Sequence, residues 1–246
     1  MTVDCDEDLK GLLAAGRAVR TAFDAMKKAA RSGMTTADLD TIGARLLAQA
    51  GARSAPQLYY DFPGATCISV NEEAAHGIPG ERVLNEGDMI NIDVSAELAG
   101  YVADMGESFI VGASRPLEQR ICDTVQAAVR AALKMVRAGR SLNVIGRAVQ
   151  KVADHAGYKI VENLGSHGVG RSIHEEPSYV PIDNPRESRK LKKGMVLTIE
   201  PFLTTGRPWV NEQADGWTLS VAPGQLVAQF EHTLVVTDRE PVIITR

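Results

Sequence analysis

Little in this sequence points away from an ordinary folded enzyme-sized domain, and what is scarce is informative. Cysteine is scarce: Cys5, Cys67 and Cys122 are odd in number, far apart and without a C-x-x-C pair. That spacing disfavours both a disulfide framework and a thiolate zinc site. Aromatic residues are few, at 5% of 246 residues, so several of them must be spent on core packing. No apolar run approaches the roughly 20 residues of a membrane span, so no membrane partner is expected. No charge of one sign dominates either. A net charge of −4 advertises no nucleic-acid surface, and the basic residues Arg186, Arg189, Lys190, Lys192 and Lys193 have acidic neighbours that make a solvated loop. The opening MTVDCDEDLK is acidic and lacks the basic start of a signal peptide, so the cytoplasm is the expected compartment.

What is present is a hydrophobic share of 44%, enough for a large core, and an internal echo. Residues 31 to 51, RSGMTTADLDTIGARLLAQAG, recur as RAGRSLNVIGRAVQKVADHAG at 137 to 157. Both predict helices: Thr35 or Thr36 and Ser141 as N-caps, Leu39, Ile42 and Leu46 or Val144, Ala148 and Val152 as one face, Gly51 and Gly157 as stops. A longer amphipathic helix precedes each. The first buries Leu9, Leu12, Leu13, Gly16, Val19, Phe23 and Met26; the second starts at Pro116 and buries Leu117, Ile121, Val125, Ala128, Ala132 and Met135.

The echo continues into apolar strand-like runs, where LNEGDMINID (84 to 93) matches LKKGMVLTIE (191 to 200), making Asp93 and Glu200 equivalent. The expectation is a single α/β domain over 1–246, with halves of about 7–112 and 113–246 related by a pseudo-twofold axis. Both strand ends would then meet at that axis.

Three further residues stand in similar strings: Asp104 closes NIDVSAELAGYVAD, which turns at Gly100, His167 lies in LGSHGVGRSIHEEP, and Glu231 lies in LVAQFEHTLVV. Four carboxylates can share a pocket as anions only beside cations, because like charges raise each other's proton affinity. Asp93, Asp104, His167, Glu200 and Glu231 therefore read as the ligands of a carboxylate-bridged two-metal site. Oxygen-rich ligation with one imidazole suits cobalt, manganese or iron(II), with zinc admissible. Such a pair polarises a carbonyl and activates water, the equipment of hydrolysis. A cluster of structural salt bridges is the competing reading, but no Arg or Lys interrupts these strings.

His76, before Gly-Ile-Pro-Gly, and His174, before Glu-Glu-Pro, are candidates to donate to a tetrahedral intermediate or a leaving nitrogen. His155 falls on a polar helix side, and strand alternation turns His232 away from Glu231. Tyr59, Tyr60, Phe62, Cys67, Ile173 and Trp217 are candidates to line a substrate pocket, Cys67 without a basic partner to make it a nucleophile.

The strings CISVNEEAAHGIP, NIDVSAELAGYVAD, SHGVGRSIHEEP, TIEPF and QFEHT closely resemble those of the type I methionine aminopeptidases, from about residue 7 onward. The resemblance implies the pita-bread fold, an α/β (α+β) architecture of two related halves with helices outside an antiparallel sheet. It also implies removal of the initiator methionine from nascent chains when the second residue is small, by metal-activated water attack. Asp104 and Glu231 would bridge two divalent ions, Asp93 completing one ion's shell and His167 and Glu200 the other's. His76 would contact the scissile nitrogen, His174 would stabilise the oxyanion, and Glu200 would shuttle a proton. Tyr59, Phe62, Cys67 and Trp217 match pocket positions. Ile173 and Phe62 depart from the family's usual Phe and Tyr, leaving pocket shape open. A monomer of minimal bacterial type with transient ribosome association is the matching expectation. Two rivals stand beside it: an Xaa-Pro peptidase of the same fold, which usually carries an additional N-terminal domain, and a metal-free binding module.

Overall fold

The structure, a computed structural model, describes residues 1–113 and 115–246. Five helices, α1 (Asp6–Ala29), α2 (Thr36–Gln49), α3 (Ala55–Tyr60), α4 (Pro116–Leu133) and α5 (Asn143–Ala156), accompany strands that pair antiparallel throughout the described residues. None of these helices is long and apolar enough to cross a membrane.

Helix α1 has Asp6, Glu7 and Asp8 in its first turn and Lys27 and Lys28 in its last, the arrangement that opposes the helix dipole. Helix α2 begins in a capping box, in which the Thr35 side chain accepts from Asp38 N while the Asp38 carboxylate accepts from Thr35 N. Its inner face is Leu39, Gly43 and Leu47, with Ile42 and Leu46 only partly covered.

Helices α4 and α5 differ from expectation in their rotation. On α5 the buried residues are Asn143, Ile145, Gly146, Val149 and Ala153, while Val144, Ala148 and Val152 lie half-buried along the groove with α4. Gly146 is the reason. A Cβ there would sit 1.9 Å from the Ile182 carbonyl oxygen, so the chain passes against this bare backbone and sets the inward face. Leu142 occupies the N-cap position, with Ser141 Oγ accepting from Asn143 N at 3.3 Å. On α4, Leu117 in the first turn is 66% exposed, Met135 lies past the helix end at Leu133 and is 37% exposed along the groove with α5, and Cys122 and Val129 fill the stripe instead.

The centre is a hairpin of two ten-residue strands, Met89–Leu98 and Tyr101–Ile110, joined by Ala99 and Gly100 at φ of 51° and 84°. Two successive left-handed residues match the twist of a tight two-residue turn. Ile90, Ile92, Val94 and Ala96 face α1, together with Ala103 and Met105, and form one core. By alternation Asn91, Asp93 and Ser95, with Asp104, Gly106 and Ser108 opposite them, face the other way. A second core lies under α4 and α5 and includes Leu197, Ile199, Leu203, Ala228 and Leu234 from the later strands. A five-stranded sheet there runs Val242–Ile243, His232–Val235, Val196–Ile199, Ser166–Gly168, Glu175–Tyr179. The two regions are stitched where Glu231 N donates to Gly106 O, and where Thr233 Oγ1 accepts from Asp104 N and donates to Asp104 O. The polar face of the hairpin thus meets the strand ends that carry Glu200 and Glu231.

Candidate metal centre

Asp93 and Asp104 reach this seam from the hairpin, His167 from the Ser166–Gly168 strand, Glu200 from just after Val196–Ile199, and Glu231 from just before His232–Val235. Asp104, His167, Glu200 and Glu231 are all buried. One ligand atom each from Asp104, His167 and Glu231 lies within 4.8 Å of the others. His167 Nε2 stands 3.1 Å from Glu200 Oε1 and 3.8 Å from Asp104 Oδ2.

Each side chain is held so that it still has an atom to give. His167 Nδ1 is bonded to the Gly168 carbonyl at 2.9 Å, which places its hydrogen there and leaves Nε2 bare toward the acids. Thr198 Oγ1 donates to Glu200 Oε1 at 2.7 Å, and Gln229 Nε2 donates to Glu231 Oε2 at 2.9 Å. Both donors sit two residues before the glutamate, on the same strand face. Gln229 is held in turn by Asn91 Nδ2 at 2.8 Å, and Asn91 also bonds Ser108. Sequence reading missed this support; its signal was the shared two-residue spacing in TIE and QFE.

Asp104 Oδ1 and Glu231 Oε1 are buried without a hydrogen-bond partner among the described residues. Such atoms cost free energy unless something positive meets them. Burial, with Glu200 nearby, raises the pKa of Asp93 to about 7. Burial and neighbouring carboxylates likewise push Asp104 and Glu231 well up, Gln229 partly relieving Glu231. Burial alone would favour neutral His167, but Glu200, the Gly168 carbonyl and Asp93 outweigh it and leave its pKa raised. The donor set, mostly carboxylate with one imidazole, two orphaned oxygens and strong mutual repulsion, fits divalent cations.

Gly106 permits the support, since a Cβ there would stand 2.3 Å from Gln229 Oε1. Gly106→Ala is therefore expected to displace the Gln229 amide, costing about 1–3 kcal/mol of stability and weakening divalent-ion binding. Denaturant titration and metal calorimetry on this variant read both; wild-type values in each would remove Gln229 from its assigned place.

A cavity of about 290 Å³ opens beside the acids, lined by Pro56, Tyr60, Phe62, Cys67, His76, Ser95, Ile173, His174 and Trp217 as well as Asp93, Asp104, His167 and Glu200. Phe62 and Trp217 meet edge to face, ring centres 5.2 Å apart. Tyr59 is not in this wall. Successive helical residues point about 100° apart, and Tyr59 turns to pack on the first core, donating to the Arg171 carbonyl at 3.0 Å, while Tyr60 faces the cavity. Burial, with Asp93 and Asp104 nearby, raises the Cys67 thiol well up, which makes it a wall and not a nucleophile.

His76 and His174 also line, with Asp93, His167 and Glu200, a second, wider cleft. His76 adopts a left-handed φ of 55°, and desolvation lowers its pKa against the pull of Glu200. His174 stacks edge-on to His167 at 4.3 Å, and desolvation, then the His167 and His76 charges, bring it to about 4. Both are neutral near pH 7 and can donate a hydrogen bond. His232 turns away to Thr245 at 2.9 Å, and His155 is exposed on α5.

Comparison with known proteins adds four findings. The profile of metallopeptidase family M24 matches residues 10–238. Methionine aminopeptidase 2 of Bacillus subtilis (strain 168) is 43% identical over 248 residues, covering all of both chains. The crystal structure of methionine aminopeptidase from Rickettsia prowazekii is similar with a TM-score of 0.95 at 31% identity, again over both whole chains. A prolidase from Pyrococcus furiosus, at 20% identity, TM-score 0.80 and 65% of that chain covered, shares the fold alone.

Proposed function

This chain belongs to metallopeptidase family M24, and from that premise we propose that it is an aminopeptidase releasing N-terminal methionine from peptides whose second residue is small. The activity is the one named for the full-length relatives, and the pita-bread fold is theirs as well. The observation that carries the reading is an apolar cavity ending on a nest of buried acids, two of whose oxygens have no partner.

Asp93, Asp104, His167, Glu200 and Glu231 would hold two divalent ions, with cobalt, manganese, iron(II) and zinc as candidates. Ions bound there supply Lewis acidity toward a carbonyl oxygen and a water. The remaining work belongs to the chain. Phe62, Cys67, Ile173 and Trp217 enclose the methionine side chain, with Tyr60 in the place expected for Tyr59. Glu200, whose Oε1 accepts from Thr198, uses Oε2 to accept the water's proton and pass it to the leaving nitrogen. His76 donates toward the scissile amide, and His174 toward the oxygen that gains charge in the transition state.

The separating experiment compares release from Met-Ala-Ser, Leu-Ala-Ser and Xaa-Pro peptides with metal-loaded protein. Rapid release of methionine alone is expected; equal rates on Met-Ala-Ser and Leu-Ala-Ser would mean a general aminopeptidase, and cleavage of Xaa-Pro only would restore the rival. An unbranched thioether threads a narrow slot and gains contacts with ring edges, which β-branched side chains cannot reach without strain. Trp217→Ala removes one of the two rings closing the slot. The expected result is a fall of about tenfold in preference for Met-Ala-Ser over Leu-Ala-Ser, from the 1–3 kcal/mol such apolar discrimination is worth, with metal affinity unchanged. Wild-type selectivity in this variant would take Trp217 out of the slot.

A further inference from the structure

Helix α3 ends in two tyrosines that both reach the turn carrying Ile173 and His174. Ser54 Oγ caps its start, Pro56 sits in its first turn, and Asp61 at φ 55° ends it immediately after Tyr60. Tyr59 donates to the Arg171 carbonyl at 3.0 Å, while Tyr60 Oη lies 2.5 Å from His174 Nδ1 with the two rings tilted at 46°. The turn itself is braced without Tyr60. Glu175 Oε1 accepts from Arg171 N and Ser172 N, and the Arg171 guanidinium bonds Asp8 Oδ1 and covers the Tyr101 ring.

We propose that Tyr60 is the positioning residue of His174: its phenol donates to Nδ1 and so holds the imidazole as the tautomer that carries its hydrogen on Nε2. A neutral imidazole has one donor and one acceptor nitrogen, and which is which follows from the hydrogen bond that the other makes. Tyr60 keeps its proton, since burial raises its pKa, and a protonated phenol beside a neutral ring is the natural donor. Nε2 is then the nitrogen left to serve the substrate in the cavity that both residues line. Without the phenol, the ring divides between tautomers and can turn about its last torsion, so a fraction of molecules present an acceptor where a donor is needed. The role parallels that of a group that orients a catalytic histidine through its far nitrogen. It extends the aminopeptidase reading given above and rests on it for the catalytic consequence, though not for the tautomer.

Tyr60→Phe tests this with little risk to folding, since the ring is kept and Tyr60 is 44% exposed. On manganese-loaded protein with Met-Ala-Ser, kcat is expected to fall about tenfold, a share of the 10²–10³-fold that a whole oxyanion donor contributes. KM should stay within about twofold, and metal affinity by calorimetry should not change. Tyr60→Phe added to His174→Ala should slow the enzyme no further, because the phenol acts only through that ring. Nitrogen-15 spectra of the zinc-loaded protein should show a bare Nδ1 and a protonated Nε2 on His174 in wild type, and a mixture in Tyr60→Phe. An unchanged kcat, a loss confined to KM, additive slowing in the double variant or a protonated Nδ1 in wild type would each overturn the proposal. Absence of methionine release by the wild type would sink the functional reading instead, while the spectra still decide the tautomer.

Discussion

His174→Ala is expected to leave the metal content unchanged and to lower kcat on a Met-Ala peptide by about 10²–10³-fold, the usual cost of a lost oxyanion donor. His174 lines the cavity but belongs to the wall beside the acids and not to the orphaned cluster itself. Its pKa, lowered to about 4, keeps it neutral across the working range, so it offers a hydrogen bond without adding charge to the ground state. A donor aimed at charge that develops only during reaction affects the rate constant more than substrate binding. Steady-state kinetics with metal analysis on the same preparation read this directly. If the variant loses metal, or loses only apparent substrate affinity, His174 is a ligand-shell or binding residue.

Chelation should destabilise the protein, and increasingly so as pH rises above about 6.5. Asp93, Asp104 and Glu231 all have folded-state pKa values raised above the ordinary carboxylate range, Asp93 to about 7. The metal-free fold therefore holds protons that the unfolded chain has released. Stability from these groups is full below the unfolded pKa and is lost as pH climbs through the folded one. His167, also raised, acts in the same sense. His174 and His232, both lowered to about 4, act oppositely, but only below about pH 6.5, where the unfolded chain would protonate them. From pH 6.5 to 8 the acids dominate, and each proton the cluster still holds costs about 1.4 kcal/mol per pH unit. A drop in Tm of roughly 5 °C over that window follows for a chain of this size. Manganese or cobalt should abolish the trend, because bound ions replace the protons and stabilise the folded state by mass action. An unchanged Tm on chelation, or a metal-free Tm that rises across this window, would count against a shared cluster.

Much of the architecture was legible because it is local. The helix start at Thr35 or Thr36, the turn at Gly100 and the alternation through NIDVSAEL each depend on a few neighbouring residues. The acids were legible for another reason, since carboxylates embedded in apolar strands need a stated cause. Rotation of α5 was not legible, because Val144 and Ile145 are equally apolar and only the backbone at Ile182, pressed on Gly146, chooses between them. The exchange of Tyr59 for Tyr60 in the cavity wall has the same character. Two adjacent tyrosines on one helix turn are chemically alike, and the Arg171 carbonyl and His174 ring, more than a hundred positions away, assign their places.

By itself, then, the amino-acid order determined the class of elements, the hairpin, the resemblance to the aminopeptidases and the set of side chains proposed to hold cations, because periodicity and side-chain chemistry are properties of short strings. Tertiary structure alone decided which oxygens remain unpartnered. Gln229 takes one oxygen of Glu231 only because Asn91 and Ser108 meet it across the seam and Gly106 leaves it room. It also decided that Tyr60 and His174 share a hydrogen bond. Hydrogen bonds and pKa shifts depend on distances of a few ångströms between remote segments, and these distances exist only once both cores have closed around the seam.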